Sequence, residues 1–288
     1  MDSTDLHIKL DYLGACGIVL TPEQKGSLQT SLTLLRYEQK FVVVNFWGII
    51  KGINGDYYIA QGIGKDYMND VKTLYSKDCI SWGLLPVPSK DDIQKSEYFK
   101  MRFTGDPQFE FRHIELSQYF NDEEIVNKET LILMKEEDRL AAVIKRIDKA
   151  VRIIPRGAFI RLPNDQIIRN KNYEGTDFSI VFTDLLGLTL AEASKLSSYL
   201  HFRDPVKYPH KPLEERIKLD KAVDFLNTIE NDTPNGCWLI QHERGNTVVY
   251  LKSLLWLGYI FYLVPEKSVY GSLYVGCGDY NIDLPFML

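Results

Sequence analysis

The 288-residue chain is 45% hydrophobic and 25% charged, the balance of a folded globular protein rather than a disordered one. Its 34 Lys and Arg against 39 Asp and Glu leave a net charge of −5, which argues against a nucleic-acid partner, since such binders carry a basic stripe. No apolar run approaches the roughly 20 residues that cross a bilayer, and the acidic, polar start Met1-Asp-Ser-Thr-Asp lacks the basic-then-apolar pattern of a secretory signal.

Ser3 to Leu13 reads as a short helix. A stronger start follows at Thr21-Pro-Glu-Gln, with Thr21 as N-cap and Pro22 in the first helical position. Leu28, Leu32 and Leu35 give that helix one apolar face as far as Tyr37. Phe41 to Ile50 is almost wholly β-branched or aromatic and predicts a central strand covered on both faces. Gly52-Ile-Asn-Gly55 turns it into a second strand at Asp56 to Gln61, and a third is expected near Thr73 to Ser76. Pro86-Val-Pro88 is a loop before a short helix near Asp91 to Phe99. Phe109 to His113 reads as an edge strand, and Asn121 to Glu129 is acidic and weakly patterned.

Glu136 to Val151 is the clearest helix, its apolar positions Leu140, Val143, Ile144, Ile147 and Val151 recurring at three and four residues. Thr189 with Glu192 forms a capping box for a helix to Tyr199, and Leu213 to Ile229 predicts another after the prolines 205, 209 and 212. Four strand-like runs follow: Trp238 to His242, Thr247 to Trp256, Tyr259 to Val264 and Tyr270 to Val275. Short Gly, Pro and Asn breakers separate them, the pattern of an antiparallel meander. The apolar end Asp283 to Leu288 is expected to be docked. The fold class is therefore α+β: antiparallel sheets with several helices packed on one face or end and a β-meander at the C-terminus. The domain expectation is one unit over 1–288, with sub-lobes 1–120 and 130–288 joined by a charged connection.

Chemistry-bearing patterns are sparse. Gly62-Ile-Gly64 and Gly276-Cys-Gly278 do not extend into a phosphate loop, and His113-Ile-Glu115 and His242-Glu243 lack the spacing that puts two imidazoles on one metal. Cys16, Cys79, Cys237 and Cys277 are scattered, which fits a reducing cytosolic setting without a disulfide or metal framework. His201, Arg203 and Asp204 form the one group from which an enzyme site could be assembled; a polar network closing a helix end is the plainer reading. Aromatics stand out more, at 12% of residues. Tyr57, Tyr58, Tyr270 and Tyr274 lie at alternating strand positions. With Phe286 at the chain end, they are the candidate interface residues, since rigid rings give large contact at low entropic cost. No catalytic, metal or cofactor residue is assigned.

The strings Phe46-Trp-Gly48, Asp56-Tyr-Tyr-Ile-Ala-Gln-Gly62, Ile154-Pro-Arg-Gly-Ala158, Leu196-Ser-Ser-Tyr-Leu-His-Phe-Arg203, Gly236-Cys-Trp-Leu-Ile, Ser253-Leu-Leu-Trp256 and Tyr274-Val-Gly276 occur in one order. Together with the ending Asp283-Leu-Pro-Phe-Met-Leu288, they resemble the radial spoke head proteins of motile cilia. The resemblance implies a non-enzymatic structural subunit without a cofactor, located in the cytoskeleton of the cilium or flagellum, in the axoneme. It implies assembly with radial spoke head proteins 4 and 6 and with spoke stalk proteins, as a homo- or heterodimer. It further implies indirect contact with the central pair and regulation of motility, and no membrane or nucleic-acid partner. A rival reading is a cytosolic assembly module that binds client segments by strand addition. Two features depart from the family pattern: Leu257 stands where a Pro is expected, and Thr176 to Gly187 reads as an insertion.

Overall fold

The computed structural model describes residues 1–121, 124–171, 173, 188–205, 220, 222–243, 245 and 247–287, without the side chains of 116–129. In chain order, α1 (Leu6–Asp11) and α2 (Pro22–Glu38) precede β1 (Val43–Ile50), β2 (Tyr57–Ile63), β3 (Val71–Ser76) and β4 (Gly83–Leu84). Next come α3 (Lys90–Lys95), β5 (Glu110–Asn121), β6 (Glu124–Lys135) and α4 (Glu136–Val151). Short β7 (Ile153–Pro155), β8 (Phe159–Arg161) and β9 (Ile167–Arg169) are followed by α5 (Leu190–Ala193) and β10 (Tyr199–His201). Then come β11 (Trp238–His242), β12 (Val249–Ser253), β13 (Tyr259–Val264) and β14 (Val269–Gly276), followed by a short helix at Leu284–Met287.

The predicted C-terminal meander forms, and so does the N-terminal one. They merge into a single eight-stranded sheet of order β11-β12-β13-β14-β1-β2-β3-β4. Every neighbouring pair is antiparallel except the seam, where β14 runs parallel to β1 with Gly48 opposite Tyr274 and Ile50 opposite Gly276. A bulge between Phe46 and Gly48 in the β1–β2 ladder turns Trp47 toward α4, whose Asp148 carboxylate accepts its indole N–H at 2.7 Å.

Both faces of the sheet are covered, not one. On the first, α4 packs Leu140, Val143, Ile144 and Ile147 against Trp47, Tyr57, Phe261 and Tyr274. On the second, α1 and α2 pack Leu6, Leu10, Leu28, Leu32 and Leu35 against Phe46, Tyr58, Ile260 and Tyr262. β2 and β13 are consequently buried along their whole length, as continuous apolar strands require. Thr21 caps α2 through a reciprocal capping box with Gln24, and Pro22 occupies its first turn.

Four expectations are corrected. The helix expected over Thr189 to Tyr199 stops at Ala193, because Tyr199 to His201 pair with Ile153 to Pro155 instead. Tertiary strand pairing, with the Tyr199 hydroxyl donating to the Ala193 carbonyl at 2.7 Å, outweighs helix propensity there. The edge strand expected at Phe109 to His113 and the weakly patterned stretch beginning at Asn121 belong to one long hairpin, Glu110 to Asn121 against Glu124 to Lys135 in unbroken register. The helix near Asp91 to Phe99 ends at Lys95. At the C-terminus Leu284 is buried, but Phe286 is 88% exposed. Residues 213–219 and Thr176 to Gly187 lie outside the described residues; the end of the expected Leu213 to Ile229 helix is a 3-10 turn at Ile229 to Asn231.

Candidate functional site

The densest polar arrangement sits where α4 begins. Glu136 is fully buried, and its carboxylate accepts four hydrogen bonds: from the Tyr57 hydroxyl at 2.7 Å, the Thr104 amide and hydroxyl at 2.8 and 2.7 Å, and the Gly105 amide at 2.8 Å. The carboxylate thus ties β2 and segment 104–105 to the start of α4. One turn on, buried Arg139 donates to the carbonyls of Phe99 (2.8 Å) and Met101, and its guanidinium lies 4.4 Å from the Phe103 ring centre and 4.5 Å from that of Phe111. Burial lowers its pKa to about 10, against the pull of Glu136 and Asp279. Burial, and then the bond to Glu136, pushes the Tyr57 phenol well above its ordinary range. The pair clamps segment 99–105 onto the sheet.

The trio His201, Arg203 and Asp204 is not brought together. Buried His201 meets Asp232 instead, its Nε2 lying 2.8 Å from both carboxylate oxygens, and the Trp238 indole N–H donates to the same carboxylate at 2.8 Å. Arg203 donates to the Lys149 carbonyl, and Asp204 is exposed. The expected network closing a helix end is replaced by one that anchors strand β10, through a residue thirty-one positions downstream. Among the described residues no His, Cys, Asp or Glu group is arranged to hold a metal. The four thiols are free; burial pushes Cys79 and Cys237 up to about 11, which leaves them protonated near neutrality.

Of the five candidate interface rings, three belong to the chain's own core. Tyr57 and Tyr274 are fully buried on the α4 face. Tyr58 is buried on the other face, where its hydroxyl accepts from Gln24 of α2 at 2.7 Å. Alternation marks an exposed face only where one side of a sheet is wet, and here neither is. Tyr270 is half-buried, stacked 6.3 Å from Phe261 and edge-on to Tyr173; only Phe286 stands clear of the surface.

Two surfaces were not legible in the chain. The β5–β6 hairpin exposes Ile114 and, directly across from it, Leu131, with Leu133 two pairs further along; among the described residues neither outer edge is paired. The second is a cleft of about 230 Å³ walled by α4 and β3, into which Lys145, Lys149, Arg152 and Arg203 reach. Its sequence signal was the 4-then-3 spacing of the first three cations, which reads equally as a solvated helix face.

Comparison with known proteins gives the family. Residues 1–102 match the family model for radial spokehead-like protein. The similarity extends over the full length: the chain is 44% identical to the radial spoke head protein 9 homologs of Bos taurus and Homo sapiens and 42% identical to that of Mus musculus, in each case over the whole of both chains. The chain belongs to the radial spoke head protein 9 family.

Proposed function

We propose that the protein is a structural subunit of the axonemal radial spoke head, required for its assembly and for regulation of ciliary and flagellar motility. The observation that carries this reading is the 44% identity over the whole length of both chains to radial spoke head protein 9 homologs. The fold agrees with it. The buried polar groups of α4 hold elements together, and the two-sided core suits a stiff part that is assembled once. In this reading the chain forms one unit, its partners are spoke head proteins of the 4 and 6 type and stalk proteins, as a homo- or heterodimer, and contact with the central pair is indirect. Large obligate interfaces, on the order of 2,000 Å² or more, would hold it there. Extraction of demembranated cilia tests the proposal. The native protein should stay with the axoneme and leave it only in complex with other spoke proteins; a monomeric soluble pool absent from axonemes overturns it.

The open edges of the β5–β6 hairpin favour a second reading, a cytosolic module that binds client segments by strand addition. It predicts weak, exchangeable binding and no axonemal pool, so the same extraction separates the two.

A further inference from the structure

The cleft beside α4 holds four cations and two carboxylates in its lining, in a protein whose net charge is negative. One carboxylate is already engaged: Asp148 accepts from the Trp47 indole at 2.7 Å and from the Gln61 amide at 2.6 Å. Among the described residues, none of Lys145, Lys149, Arg152 and Arg203 has a carboxylate within ion-pair distance. The Arg152 guanidinium lies 4.7 Å from the centre of the Phe202 ring, and burial lowers its pKa, with Asp148 opposing the shift. Arg203 is steered by the Lys149 carbonyl, and among the described residues its buried Nε meets no acceptor. Both side chains are half-buried, and an incoming anion would supply the acceptor that the Arg203 Nε lacks.

We propose that this cleft receives an acidic side chain, carboxylate or phosphoryl, from a segment of a partner polypeptide. The inference rests on the subunit reading above for the existence of such a partner, and adds the chemistry of its contact. A guanidinium fork matches either anion through paired hydrogen bonds. The volume, about 230 Å³, is below the roughly 300–1,000 Å³ of small-molecule sites. Among the described residues Phe202 is the only aromatic ring in the lining, and Arg152 already covers it, so it offers no free face to a nucleotide base. The negative net charge disfavours a long polyanion, and a single acidic side chain seated locally escapes that penalty.

The test uses the purified full chain and fluorescence anisotropy with three probes: labelled hexaglutamate, a labelled short phosphoserine peptide, and inorganic phosphate as competitor. One peptide should bind, more weakly at higher salt. Its affinity should fall tenfold or more in Arg152→Gln with Arg203→Gln and in the more exposed pair Lys149→Gln with Arg203→Gln, and stay unchanged in Lys77→Gln with Lys100→Gln. The second pair keeps the test valid if loss of Arg152 unfolds the protein, which thermal melts would show. Preference for one peptide identifies the anion. Binding unaffected by the cleft variants, or no binding by either peptide, overturns the proposal, and so does phosphate displacing both peptides at equal concentration. These readouts do not depend on the axonemal location, so their failure leaves the subunit reading standing.

Discussion

Single residues show how this chain spends its polar and aromatic side chains on itself. Trp256 is 2% exposed, edge-on to Tyr280 at 5.4 Å and overlain by the Arg146 guanidinium at 5.7 Å. Trp256→Ala should therefore lower stability by about 3–5 kcal/mol, read as a shift in urea midpoint; an unchanged midpoint refutes the burial. Glu136 has a different role. Glu136→Gln keeps the shape but sets an amide N–H₂ against donors from Tyr57, Thr104 and Gly105, and should cost at least about 2 kcal/mol. Tyr57→Phe removes one of the four donors and should cost about 1 kcal/mol, so the two variants measured together separate the clamp from ring packing.

At the scale of elements, the short helices depend on their ends. The capping boxes Ser89–Asp92 and Thr189–Glu192 open α3 and α5, each only one or two turns long. Hydrogen bonds from Ser89, side chain first, hold the Asp92 carboxyl below its ordinary range; the Thr189 backbone and then its hydroxyl do the same for Glu192. A carboxylate depressed in the folded state binds fewer protons there than in the unfolded chain. Its stabilisation is complete above the unfolded value of about 4 and is lost as pH falls through the folded one. Unfolding midpoints should thus drop on acidification below about pH 4. Asp92→Asn with Glu192→Gln should flatten that dependence, and an unaltered slope would show that the boxes contribute nothing. α2 is longer and its box is neutral; Thr21→Ala should cost about 1 kcal/mol at any pH, measurable by thermal melt.

At the scale of the molecule, the seam between β1 and β14 decides the architecture, since it pairs two strands more than 200 residues apart and so joins both meanders into one sheet. Gly48 sits in it at φ 151°, and a Cβ there would overlap the Tyr274 backbone of β14. Gly48→Ala should destabilise the whole fold cooperatively, because backbone on both sides leaves nothing flexible to yield; a variant that melts like the parent would show that the seam is dispensable. Two strings that carry the family resemblance, Phe46-Trp-Gly48 and Tyr274-Val-Gly276, meet at this seam. Two more, Ile154 to Ala158 and Leu196 to Arg203, meet in the β7–β10 pair. The chain alone pointed to the α+β class, the family resemblance, α2, α4, the N-terminal hairpin with its third strand and the C-terminal meander, because hydrophobic period and capping chemistry are local properties. It could not show that β14 would pair with β1, that helices would cover both faces and so bury Tyr57, Tyr58 and Tyr274, or that Asp232 would claim His201. Nor could it show that the cations of α4 would face a cleft beside Arg203. Those outcomes depend on contacts between residues far apart in sequence, and only the packed tertiary structure brings such residues within reach of one another.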